Sequence, residues 1–430
     1  MIWPAYDTYK STGQQWLGES PAHWKLRPLG FHFTERKTTV SAADYTPLSV
    51  TKAGIVPQLD TAAKTDNPEN RKLVTAGDFV INSRSDRKGS AGVSDRDGSV
   101  SVISTVLEPR QIEAGFVHHL LRSRAFQEEY YRFGSGIVAD LWSTRYSAMK
   151  QITLAVPPRS EQCIIARFLD LETAKIDALI EKQEQLIATL LEDRSATISA
   201  AITSGIDNNG QLPASRGEEN STPAHWSETK IRHVARLNPS MKRAIEKLAD
   251  DELVTFVPMD SIGEDGSIDV NRSRPLSEVR SGYSFFERDD VLMAKVTPCF
   301  ENGKLALAAN LPHPCGFATT EVTVLRPTRA VYGQFLCYLL RSQTFRRASI
   351  AEMTGAGGLR RVPDNQVRNF GFSRPPLPEQ RVIVQFLDDH CLKIDALIEK
   401  SIEMIEALHE YRSALITNTV TGKIDVREAV

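Results

Sequence analysis

The chain has 430 residues, 41% hydrophobic and 25% charged, with a formal net charge of −2; that is more than one hydrophobic core usually serves, so two or more domains are expected. The charge balance excludes wrapping of nucleic acid through bulk positive charge, and no apolar run is long enough to cross a bilayer. The opening "MIWPAYDTYK" lacks a basic start and an apolar stretch, and the five cysteines form no C-x-x-C pair, so a reducing cytoplasm is the expected compartment.

Taken in chain order, the elements describe a module written twice. The first begins at "SPAHW" (Ser20 to Trp24). Its interior carries short β-rich runs, "DFVIN" and "VSVISTVL", broken by Gly, Pro, Asn and Asp, and then a helical stretch, "FVHHLLRSRAFQEEYYRF". From Ser160 to Thr203 there is no Gly or Pro, and apolar residues recur at steps of three and four. This predicts a long helix whose seam is Leu169, Glu172, Ile176, Leu179, Gln183, Leu186 and Leu190, flanked by Ile180, Ile187 and Leu191. A polar, turn-rich stretch, "SGIDNNGQLPASRGEENST", follows and reads as a flexible linker.

The second module opens with "TPAHW" at Thr222 and repeats the order: "TVLRP" for "TVLEP", "LLRSQTF" for "LLRSRAF", "EQRVIVQFLD" for "EQCIIARFLD", and "KIDALIEK" letter for letter at Lys175 and Lys393. Its own strands, "DVLMAKV" and "EVTVLRP", precede a second long helix with seam Leu387, His390, Ile394, Leu397, Ser401, Met404 and Leu408, flanked by Ile398 and Ile405 and continuing to Tyr411 and Leu415. Each helix is roughly 65 Å long at 1.5 Å per residue. A relaxed linker of about 18 residues reaches only about 25 Å, so the helices are expected to pair antiparallel. The predicted class is α+β: two mixed α/β domains in a pseudo-twofold arrangement, separated by two long antiparallel coiled-coil helices. The boundaries are domain 1 at 1–158, helix at 159–204, linker at 205–222, domain 2 at 223–376, helix at 377–422 and tail at 423–430.

The familiar catalytic signatures are missing. There is no G-x-x-x-x-G-K-[ST] loop, G-x-S-x-G elbow, H-E-x-x-H pair or Cys/His cluster, and "GAGG" at Gly355 lacks dinucleotide spacing. What remains is binding chemistry. After "DFVI", the loop "NSRSDRKGSAG" presents Arg84, Arg87 and Lys88; after "DVLM", "AKVTPCFENGK" presents Lys295, Asn302 and Lys304. Arg and Lys suit phosphates and guanine edges, and Asn suits adenine. A solvated hairpin loop would carry the same residues. A second basic segment lies late in each interior, with Arg145 beside Trp142 and Tyr146 in the first, and Arg360 and Arg361 after the glycines in the second.

"YKSTGQQWLGESPAHW" near the start, the P-x-x-W opening of each module and the closing pattern "PP..EQ....FLD....KIDALIEK" resemble the specificity subunit of a type I restriction–modification system, over about Tyr9 to Asp425. The resemblance implies two target-recognition domains, each reading one half of a bipartite, asymmetric double-stranded DNA target. It also implies two conserved helical regions that dock two modification (methyltransferase) subunits, with restriction/translocase subunits as further partners. The chain is then expected to be non-catalytic and without a cofactor or metal of its own; S-adenosylmethionine, ATP and Mg are used by its partners. The outer helix faces around Glu181, Lys182, Glu399 and Lys400 are expected to meet the modification subunits. A stand-alone sequence-specific DNA-binding regulator and a protein-only coiled-coil scaffold are the alternatives.

Overall fold

The structure, a computed structural model, describes residues 3–59, 68–136, 142–207, 212, 222–246, 248–356 and 358–429. Most of the expected linker, and "IVADL" within the first domain's late basic segment, lie outside the described residues. The chain divides into two compact units, Met1–Glu184 with Ile402–Val430, and Gln185–Ser401. By packing, then, the long helices do not stand apart as domains of their own. Each unit takes an interior domain and a part of both.

In the first unit, strands Phe79–Asn82, Ala91–Val93, Ser104–Pro109 and Phe33–Glu35 form an antiparallel sheet in the order 91–93, 79–82, 104–109, 33–35. Strand residues alternate between faces, and here both faces are buried. Phe79 and its cross-strand partner Leu107 face the helices with Phe116, Leu120 and Phe126. Val80 and its partner Val106 face a second sheet through Val74 and Val100. Fully burying each such side chain stabilises by about 1.5–3 kcal/mol. Strand Lys25–Pro28 pairs with Thr153–Val156, so the start of the domain lies beside its end. The repeated "LLRS" stretch now has a reason: Ser123 ends helix Ala114–Arg122 and caps helix Arg124–Arg132 by accepting from Phe126 N–H at 3.3 Å.

The second unit repeats this plan. Its main sheet runs 305–307, 291–294, 322–327, 235–237, all antiparallel. Ser342 caps Gln343–Ala351 through Phe345 N–H, also at 3.3 Å. Val291 and Leu325 face the helices, while Leu292 and Val324 face the second sheet. That sheet has four strands, ordered 273–275, 253–257, 315–318, 284–287, with 253–257 and 315–318 parallel. Strand Ser227–Lys230 pairs with Gly371–Arg374, matching the closing pair of the first unit.

The long helices span Arg159–Ser204 and Leu377–Val420. Each unit contains an antiparallel pair of helix segments. In the first, Ile176 and Ile180 share a core with Ile405, Leu408 and Leu415, and Arg412 Nε lies 3.2 Å from Asp177 Oδ1. In the second, Ile198 and Ile202 share a core with Ile383 and Leu387, His390 Nε2 lies 3.1 Å from Asp193 Oδ2, and Arg194 pairs with Asp395. Asp177 and Asp395 are the same letter of the repeated "KIDALIEK", so each copy supplies one carboxylate to a helix–helix ion pair. Each helix is followed by a left-handed glycine, Gly205 (φ 74°) and Gly422 (φ 73°), a conformation that residues with a side chain rarely take.

The buried face differs from the expected seam in phase. Leu169, Ile176, Leu387 and Ile394 are buried, and Leu190 and Leu408 are half-buried. Leu179, Leu186, Leu397 and Met404 are instead 47%, 43%, 49% and 51% exposed. Thr173, Ile180, Ile187 and, in the second helix, Cys391, Ile398 and Ile405 turn inward in their neighbourhood. The step after each shared position is four where three was expected. Ser401, polar but on the expected seam, is buried as well; Thr173, Arg194 and Arg412, which do not score as apolar, lie on the covered side of the other phase. Among the described residues no helix is long and apolar enough to cross a membrane.

Candidate nucleic-acid interface

The scaffold beneath each candidate site is a clasp between the module's opening and its long helix. In the first unit, the buried Glu161 carboxylate accepts from Trp24 Nε1–H at 2.9 Å and from the Tyr6 hydroxyl at 2.7 Å, and its other oxygen lies 2.8 Å from His23 Nε2. Burial, reinforced by the Glu161 bond, pushes the Tyr6 phenol far above its ordinary range. In the second unit, Glu379 accepts from Trp226 Nε1–H at 2.9 Å and lies 2.8 Å from His225 Nε2. The adjacent glutamines act alike. Gln162 Oε1 accepts from Glu113 N–H and Gln380 Oε1 from Tyr332 N–H, both at 2.8 Å, tying the long helices to the starts of helices Ala114–Arg122 and Gly333–Arg341. His119 with Asp170, and Tyr338 with Asp388, complete the docking at 2.8 and 2.6 Å.

On this scaffold the second unit brings both of its predicted basic sites together. The loop carrying Lys295, Asn302 and Lys304 lies against a hairpin of Thr354–Ala356 and Leu359–Arg361. Thr297 is the joint: its N–H donates to the Arg360 carbonyl at 3.0 Å, its hydroxyl to the Gly358 carbonyl at 2.8 Å, and it accepts from Arg360 N–H at 2.9 Å. Val362 N–H donates to the Lys295 carbonyl at 2.8 Å. The hairpin requires Gly355, whose φ is 148° and where a Cβ would strike the Leu359 carbonyl.

Charge on this surface is partly masked. Arg360 Nη2 lies 2.8 Å from Glu301 Oε1, and Arg361 Nη2 lies 3.8 Å from Glu321 Oε1. Lys304 Nζ donates to the Met259 carbonyl at 3.3 Å, and Asn302 is exposed. Leu359, at the hairpin, is exposed as well.

The first unit joins its two sites in the same way. Arg84 bridges to Ser143, and Thr144 N–H donates to the Ser83 carbonyl at 3.0 Å, placing the turn Ser85–Arg87 beside the segment of Arg145. Arg84, Arg87 and Arg145 are exposed. Lys88 pairs with Glu128 at 2.7 Å and sits 5.3 Å from the centre of the Tyr131 ring, whose phenol burial pushes up to about 12. Tyr146 differs from the expectation of a DNA-facing side chain. It is half-buried against the core, its hydroxyl donates to the Phe33 carbonyl at 2.7 Å, and burial, with Glu35 nearby, raises its phenol. Its role in the fold is to fix the segment that presents Arg145.

Residues 223–407 match the family model described as the type I restriction modification DNA specificity domain. The specificity subunits of the type I restriction enzymes EcoAI and EcoEI of Escherichia coli are 32% and 30% identical to the chain over 48% of its length. The chain thus carries, over somewhat less than half of its length, a type I restriction modification DNA specificity domain. It spans about a third (34%) of the length of those two relatives. Over 95% of the chain and 90% of the relative, it is 20% identical to the EcoKI specificity subunit of Escherichia coli strain K12. The fold is that of solved structures: one from work on complex assembly and conformational transition of the type I R-M system (TM-score 0.64, 17% identity, 93% of this chain, 98% of that one), and the HsdS subunit from Thermoanaerobacter tengcongensis (TM-score 0.51, 17% identity, 96% and 100%).

Several residues of these surfaces carry no basic letter and were missed by a search for Lys and Arg. Thr297, Glu301, Glu321 and Glu128 set which cations are held and where. The signal for two of them was present, since Thr297 and Glu301 lie within the same "VTPCFENGK" stretch as the cations.

Proposed function

We propose that this chain is the DNA sequence-recognition subunit of a type I restriction–modification complex. Each domain reads one half-site of a bipartite, asymmetric duplex. In the second, Lys295, Asn302, Lys304, Arg360 and Arg361 form the contact surface; in the first, Arg84, Arg87, Lys88 and Arg145 do. The observation that carries this reading is the convergence of two separate basic segments onto one surface in both units, on a shared scaffold but with different residues. Shared backbone with divergent side chains is what two different base sequences demand, because phosphate contacts position a reader and base-edge contacts give it specificity.

In this reading the chain does no chemistry itself. Two modification subunits use S-adenosylmethionine, and restriction/translocase subunits use ATP and Mg. In the first unit the exposed Leu179 and Met404, with the exposed Glu181 and Lys182, and in the second the exposed Leu186 and Leu397, with Glu399 and Lys400, each offer a modification subunit an apolar contact with a charged border. Binding should be measured with the partners present, against duplexes carrying the motif found by mapping methylated bases in cells with the whole system. If substitutions across both basic surfaces left the methylated motif and the affinity unchanged, recognition would have to lie elsewhere.

A further inference from the structure

Within the first unit, a cavity of about 300 Å³ opens at the start of the long helix, beside the Trp24–Glu161 clasp. Its lining includes Lys25, Arg27 and Arg159, with Phe31, His32 and Gln111, and contains no carboxylate. We propose that this cavity is a phosphate-binding site.

Three features support the assignment. The cations are available: among the described residues Lys25 and Arg159 have no ion-pair partner, and Arg27 only packs on the Phe31 ring, 5.5 Å from its centre. His32 is the second feature. It is only 6% exposed, yet neither ring nitrogen makes a well-formed hydrogen bond, the Arg110 backbone interacting with the ring only weakly, a costly arrangement for a buried polar group unless something completes it. Burial, with Arg27 nearby, lowers its pKa, so near neutral pH the ring is uncharged and keeps one N–H to donate. Third, the backbone of Gln111 at the rim is left-handed (φ 55°), which a residue with a side chain adopts at some cost.

The second unit supplies an internal control. An equivalent cavity of about 320 Å³ is lined by His225, Ser227, Ala330, Arg374, Pro375, Pro376 and Leu377. There Ser227 stands where Lys25 does and Leu377 where Arg159 does, while Val234, buried, replaces His32. Arg374 is turned toward the Ala330 carbonyl and the Ser227 hydroxyl, at 3.5 and 3.3 Å. The cavity belongs to the common scaffold, whereas the cations and the buried histidine belong to one unit. One phosphate per chain is therefore expected.

The phosphate is either that of a free nucleotide or one on the backbone of bound DNA, and only the second source rests on the DNA-recognition reading. Calorimetry on the full chain would titrate inorganic phosphate and AMP against the unaltered protein, the Lys25→Gln/Arg27→Gln double variant and Arg374→Gln. We expect one saturable site, at least tenfold weaker in the double variant and unchanged in Arg374→Gln. A second arm measures duplex affinity against salt with partners present. A slope shallower by about 0.9 per lost contact, with unchanged base preference, assigns the phosphate to DNA; an unchanged slope with lost AMP binding assigns it to a free nucleotide. Absence of saturable binding in both arms, two sites per chain, or a double variant that loses only assembly with modification subunits would overturn the proposal. Should the complex bind no DNA at all, the DNA reading falls, while the calorimetric arm still decides this one.

Discussion

Trp24 and Glu161 are joined by a 2.9 Å hydrogen bond from the indole N–H to a buried carboxylate, across 137 residues of chain. Trp226 and Glu379 repeat the bond at the same distance. The two bonds sit in unequal surroundings. Glu161 also takes the Tyr6 hydroxyl and is nearly inaccessible, whereas the Glu379 side chain is 27% exposed. Removing a carboxylate strands its donors, and each stranded buried donor costs about 1–3 kcal/mol. Glu161→Ala should therefore destabilise the first unit by about 3 kcal/mol, and Glu379→Ala the second by about 1–2 kcal/mol. Hydrogen exchange resolved by segment would show this as loss of protection confined to the unit carrying the change. Equal losses would mean that the clasp is not what distinguishes the two helix starts.

That clasp also marks how far the sequence could be read. The repeats "PAHW" and "EQ" were visible as letters, and their recurrence places them at matching points of two modules. Their pairing was not visible, because the partners are far apart in sequence and nothing in either motif names the other. Helix length was legible from the absence of Gly and Pro. Helix phase was only half legible: with Ile180 beside Leu179, and Ile398 beside Leu397, a step of three and a step of four are equally apolar. The choice fell to packing, which buries Thr173 and half-buries Arg412 on the covered side. For the candidate interface, basic residues were legible as candidates, but their masking by Glu301, Glu321 and Glu128 depends on folded distances.

His118 should give the first unit a pH-dependent stability. Burial, followed by the positive charge of Arg122, brings its pKa down to about 4, with His119 and Arg412 lowering it further and Asp170 opposing them. Arg122 donates to His118 Nε2, which requires that nitrogen to be unprotonated. A depressed histidine pKa means that the unfolded chain takes up a proton first as pH falls. Its contribution is thus fully present above about pH 6.5, is lost between there and about pH 4, and totals on the order of 3 kcal/mol. His118→Asn should flatten the urea-unfolding midpoint of the first unit across that window. An unchanged pH profile in the variant would exclude His118 as its source.

Glu301 should act as a restraint on DNA affinity. It holds the Arg360 guanidinium at 2.8 Å, with both groups partly exposed, so the pair itself contributes little to stability. Glu301→Gln removes a charge that repels phosphates and releases Arg360. In the assembled complex we expect duplex affinity at low salt to rise about two- to fivefold, with stability within about 0.5 kcal/mol of the unaltered chain. Arg360→Ala should weaken binding instead. If Arg360 reads a base edge, the loss will relax preference at one position of one half-site by about 1–3 kcal/mol; if it meets phosphate, the loss will be uniform across sequences. Gel-shift titrations on a set of singly altered duplexes distinguish these results.

The change of helix phase separates residues that hold the helices together from residues free to meet a partner. Leu387 and Ile394 are buried, so Leu387→Ala or Ile394→Ala should cost about 2–4 kcal/mol in the second unit. Leu397 and Met404 belong to the same helix but stand in solvent. Leu397→Lys and Met404→Lys should leave the unfolding midpoint nearly unchanged, because surface substitutions usually shift stability by no more than about 0.5 kcal/mol. Their effect should appear on assembly: placing a charge in an apolar contact ought to lower affinity for the modification subunits by at least tenfold in size-exclusion or calorimetric titration. If Leu397 and Met404 instead packed between the helices, each lysine would destabilise its own unit, and the loss of assembly would track the loss of stability. Intact stability with weakened assembly identifies the exposed stripe as the docking face, and intact assembly would leave these leucines and methionine without a partner in the complex.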